Sequence, residues 1–70
     1  MNKAELKASL EKLLEQLETE EETAINYFLG KFNAPVEDWK REQNLEYERT
    51  MKPLWDAGEN LASAIHSLEE

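Results

Sequence analysis

Leu6, Leu10, Leu13, Leu17, Ala24 and Phe28 recur at spacings of three, four or seven residues, which is the period of one helix face and not of a strand. Leu14, Ile25 and Phe32 widen the stripe, while Lys3, Lys7, Glu11, Glu15, Glu18 and Glu22 fall mainly on the other side. No proline and a single glycine interrupt this stretch, so a first helix is expected over about residues 3–31. Glu20 and Glu21 leave a gap in the stripe. Thr19 and Glu22 match a capping box that would start a new helix there, but with no Gly or Pro to break the chain one continuous helix is the preferred reading.

Gly30, Asn33 and Pro35 cluster where the pattern stops. Gly or Asn can take the left-handed conformation that ends a helix, and Pro suits the first turn of the next one. A turn is therefore expected at 32–35, with Glu37 and Asp38 favoured near the positive end of the following helix dipole. Val36, Trp39, Gln43, Tyr47, Met51, Leu54, Gly58, Leu61, Ile65 and Leu68 then continue at spacings of three and four, giving a second helix over about 36–68.

Pro53 sits inside that second pattern, and an internal proline removes a backbone hydrogen bond at a cost of ~3 kcal/mol. The chain is expected to kink or break at 50–53. Because the pattern keeps its register across the proline, and because arms of ~42 and ~50 Å would match in length, the expected fold is an all-α antiparallel helical hairpin, with a three-helix bundle as the alternative. Folding about Ala34 would place Leu10 near Gly58 and Leu17 near Met51, with Glu20 and Glu21 in a polar layer near Tyr47, Glu48 and Arg49.

Seventy residues without a cysteine make a thin core that must be supplemented by close helix packing or by self-association into a larger bundle. The formal charge of −8 argues against direct contact with nucleic acid or an anionic membrane. No apolar run reaches the ~20 residues of a membrane span. The opening Met1-Asn2-Lys3-Ala4-Glu5-Leu6-Lys7 leads into an amphipathic pattern rather than an apolar export signal, so a cytoplasmic location is expected.

No enzyme is expected, and neither are cofactors or metals. His66 is the single histidine, which excludes a histidine pair within one chain. Ala64-Ile65-His66-Ser67-Leu68 resembles the start of the histidine phosphotransfer signature, but Glu69 and Glu70 occupy the places of its Lys and Gly. A carboxylate-bridged metal site would need Glu-x-x-His, and Ser63 stands three before His66. The run Glu18, Glu20, Glu21, Glu22 surrounds the helix and reads as a solvated acidic cluster.

The aromatic residues carry the richer signal. Phe28, Phe32 and Trp39 are expected to close the turn end, whereas a two-helix hairpin cannot cover every large side chain. Trp55, Tyr47, Met51, Leu61, Ala62, Ile65, Leu45 and Tyr27 are the expected partner-binding residues, because exposed Trp, Tyr and Leu serve as interface anchors. The expected function is a small acidic interaction module, an adaptor, co-chaperone or regulatory subunit, binding another protein, itself as a homodimer, or both. In size and outline the chain is similar to the small hairpin co-chaperones of type III secretion systems, and Trp39-Lys40-Arg41-Glu42 resembles a short stretch in some of them. The alternative is an acidic mimic of nucleic acid, an inhibitor of the phage or mobile-element type. Carboxylates gathered on one face would favour the mimic, and an apolar patch flanked by mixed charges the adaptor.

Overall fold

The computed structural model describes residues 2–69. Helix α1 runs Lys3–Phe32 and helix α2 Arg41–Glu69, joined through a 3-10 turn at Val36–Asp38. The two helices pack antiparallel as a hairpin measuring 47 × 17 × 15 Å. Among the described residues there is no strand.

Local chemistry sets the ends of each helix. The Asn2 side chain accepts a hydrogen bond from the Glu5 backbone N–H at 2.8 Å and caps the start of α1. Asn33 ends α1 in the left-handed conformation, φ 49° and ψ 43°. Thus Asn33, rather than Gly30, takes the capping role; Gly30 lies within the helix.

The second helix begins at Arg41, five residues later than the periodicity implied. Trp39 explains the delay. Its indole N–H donates to the Ala34 carbonyl at 2.8 Å, its ring meets Phe32 and Tyr47 edge-on at 5.2 and 5.1 Å, and the residue is buried. Holding the ring there keeps Trp39 extended, with ψ 136°, so the helix cannot start before Lys40. The Gln43 side chain then accepts from the Lys40 N–H at 2.8 Å, half of a capping box.

This longer connection corrects the expected register. Lys7 pairs with Glu69 at 3.2 Å, Lys31 with Glu46, and a Cβ built on Gly58 would meet Leu17 at 3.5 Å. The hairpin therefore folds about Asp38 rather than Ala34, and Leu17, not Leu10, faces Gly58. The missing Cβ at Gly58 leaves room for Leu17 and for the Glu21 carboxylate, 3.8 Å from the Cβ position.

Pro53 does not break α2, which stays one helix from Arg41 to Glu69. Pro53 and Arg49, whose carbonyl it cannot bond, are both exposed, so water can solvate the orphaned oxygen. The three-helix alternative is thereby set aside.

The interior follows an exact alternation of three and four. Lys7, Leu10, Leu14, Leu17, Glu21, Ala24 and Phe28 line the seam from α1, and Tyr47, Met51, Leu54, Gly58, Leu61, Ile65 and Leu68 from α2; every one is buried or half-buried. A mean spacing of 3.5 is that of a coiled-coil seam. The expected stripe through Leu6 and Leu13 was one column out: both are exposed, and Leu14 and Glu21 lie inside instead. The core is thin, for the buried hydrophobic residues are Phe28, Trp39, Met51 and Ile65.

Candidate interaction surface

The seam leaves two long sides, each made of two columns per helix at seven-residue steps. On one side lie the cap Asn2 with residues 9–30, and residues 6–27, of α1 in such steps, with 43–64 and 46–67 of α2. Glu20, Thr23, Ala24, Tyr27 and Phe28 come together there with Glu46, Thr50 and Leu54 around an open groove of about 560 Å³. This groove side holds just two charged residues in its four columns, Glu20 and Glu46, and Glu46 is held by Lys31. Elsewhere it presents Ser9, Gln16, Thr23, Gly30, Thr50, Ala57, Asn60, Ala64 and Ser67. Leu6, Leu13 and Tyr27 stand on it at matching steps, Leu13 50% and Tyr27 60% exposed.

The opposite, acidic side carries Glu11, Glu15, Glu18 and Glu22 from α1 and Glu48, Glu59 and Glu69 from α2, against Arg41 and Lys52. Trp55, Leu45, Ala62 and His66 are also on this side and exposed. His66 Nδ1 lies 3.9 Å from a Glu69 carboxylate oxygen.

The predicted partner-binding residues therefore do not form one surface. Met51 is 2% and Ile65 9% exposed, so both lie inside the intramolecular seam and neither stands on an outer side of the hairpin. Tyr47 and Leu61 are half-buried in that seam. Trp55, Leu45 and Ala62 face one way and Tyr27 the other. The acidic cluster is likewise divided: Glu20 lines the groove, Glu21 enters the seam, and Glu18 and Glu22 face the acidic side. Sequence reasoning missed the charge-poor groove side, although reading the chain in steps of seven from Asn2 and Leu6 would have exposed it.

A chain of aromatic contacts fixes the turn end. Phe28 meets Phe32 at 5.5 Å and Tyr47 at 5.6 Å, and Tyr47 reaches Trp55 at 6.0 Å; such pairs contribute about 0.5–1.5 kcal/mol each beyond the area they bury. Burial, and then the charge of Glu21, pushes the Tyr47 hydroxyl above its ordinary pKa of 10.0. The hydrogen bond to Glu46 holds the Lys31 ammonium above its ordinary 10.5, and its Nζ also lies 6.0 Å from the Tyr27 ring centre.

Among the described residues no group of three or more His, Cys, Asp or Glu is arranged to hold a metal ion, and no helix is long and apolar enough to cross a membrane. No protein-family model matches this chain, and no curated protein or solved structure matches it.

Proposed function

We propose that this protein is a non-enzymatic interaction module that docks a protein chain through the groove side of its hairpin. The observation that carries this reading is the charge-poor side itself. In a sequence that is 34% charged, the four columns of one face keep two charged residues, Glu46 being paired with Lys31 at the edge, while leaving Leu6, Leu13 and Tyr27 in water, and depletion of charge around aromatic and aliphatic anchors is the compositional mark of an interface centre. Leu13→Asp tests it: helicity by circular dichroism is retained, since Leu13 lies outside the seam, while association with any protein chain, measured by light scattering and by capture on the immobilised protein, is lost. Unchanged association in a folded variant counts against the groove side.

The acidic side favours a second reading, an inhibitor that mimics nucleic acid. Seven carboxylates with two cations, Arg41 and Lys52, along a rod offer a basic groove a row of anions. Under this reading the double variant Glu15→Lys, Glu18→Lys abolishes binding to a basic nucleic-acid-binding protein, and Leu13→Asp does not.

A further inference from the structure

We infer that the occupant of the groove side is a second copy of this chain, packed groove to groove about a two-fold axis parallel to the rods, with both turns at the same end. The inference rests on the docking reading above and names its partner. Three independent observations point to it.

The first is area. The chain exposes 5392 Å², whereas a compact monomer of 8.2 kDa exposes roughly 4,500 Å². The excess of about 900 Å² matches the roughly 800 Å² that one partner contributes to a stable interface. The groove side supplies such an area, for a face 47 Å long and 17 Å wide covers about 800 Å² in projection.

The second is charge. Two chains of formal charge −8 repel wherever their carboxylates approach. Packing through the acidic sides would bring seven carboxylates against seven. Packing through the groove sides turns all of those to opposite outer faces and leaves Glu20 and Glu46 at the contact, the latter already paired with Lys31.

The third is the distribution of side-chain size. Along the groove α1 presents Leu6, Leu13, Glu20 and Tyr27, and α2 presents Thr50, Ala57 and Ala64. The long-axis two-fold sets α1 of one copy on α2 of the other at the same level. The register within the hairpin then brings Leu13 opposite Ala64, Glu20 opposite Ala57 and Tyr27 opposite Thr50 of the second copy. Large meets small three times, as close packing requires, and Glu20 does not face its own copy.

The chain has no cysteine, so cross-linking is free of background. Two variants, Leu13→Cys and Ala64→Cys, are mixed and mildly oxidised. The expected product is a mixed disulfide of one chain of each, while sedimentation of the wild type at 100 µM on the order used for weak dimers gives twice the 8.2 kDa chain mass. Tyr27→Lys, outside the seam, raises the dimer dissociation constant by at least about thirtyfold with helicity unchanged. A wild-type chain that sediments as a monomer overturns the inference. If a foreign protein is nevertheless captured and lost with Leu13→Asp, the docking reading survives without it. A dimer that yields no mixed disulfide overturns the parallel arrangement.

Discussion

The two long sides of the hairpin are built from the same number of positions on the same two helices, yet they meet water on different terms. On the acidic side nine charged residues are spread over four columns, and its exposed large apolar groups, Trp55 and Leu45, stand among carboxylates. On the groove side charge is almost absent and the apolar groups are aligned. A surface needs charge to stay soluble and to repel other chains; a surface that gives it up in a chain so rich in it is suited to being covered. The difference teaches that exposure alone is a poor guide here, because Trp55 at 42% and Tyr27 at 60% are both exposed but have neighbours of opposite character.

Both sides depend on one seam, and the largest expected effect comes from cutting it. Phe28 is 3% exposed and touches Tyr27, Phe32 and Tyr47, so Phe28→Ala should cost about 3–5 kcal/mol by urea denaturation and dissolve groove and acidic side together. A loss below about 1 kcal/mol would mean the seam is not what organises the two faces.

Next in size is Pro53, on the groove side. Pro53→Ala restores the missing helical donor and should stabilise the chain by about 2–3 kcal/mol, read as a higher midpoint in the same experiment. No gain would show that the backbone around Arg49 already absorbs the cost.

The acidic side has its own test. Glu18→Lys sets a cation within one turn of Glu15 and Glu22 and should raise stability by about 0.5 kcal/mol, the gain shrinking in 1 M salt. Gln16→Lys, on the groove side, should do little to the monomer; equal gains from both would erase the contrast in charge between the sides.

The smallest effect is a dependence on pH. Lys31 and Tyr47 both titrate higher in the folded chain than their ordinary values of 10.5 and 10.0. Between those values and the raised ones the folded chain keeps protons that the unfolded chain has lost. Their contribution is therefore complete below about pH 10 and declines as pH rises through the folded values. Thermal melts between pH 9 and 12 read this, and Glu46→Gln should flatten the Lys31 part.

Much of this architecture was legible in the residue order. Helical periodicity, the stop at Asn33 and Pro35, and phase kept across Pro53 sufficed for two antiparallel helices, because each signal is local and acts within a few residues. The candidate surface was legible only in pieces. Spacing marks Tyr27 and Trp55 as surplus to a two-helix core but does not place them on opposite sides, and it puts Met51 and Ile65 in the second-helix seam without showing that the hairpin buries that seam in itself.

What the sequence determined by itself was therefore the kind of element, the hairpin topology and the acidic balance, all of which follow from spacing and composition. Which column of leucines became the seam was decided only in three dimensions. The columns through Leu6 and Leu13 and through Leu14 and Glu21 share the seven-residue period, and periodicity cannot rank two columns of equal period. The axial register came from Trp39: by burying its ring on Phe32 and Tyr47 and bonding Ala34, it delayed α2 and moved the centre of the fold to Asp38. At that register Leu17 and Glu21 meet Gly58, where the missing Cβ leaves room for them, and the face of α1 that packs there leaves Leu6, Leu13 and Tyr27 in water.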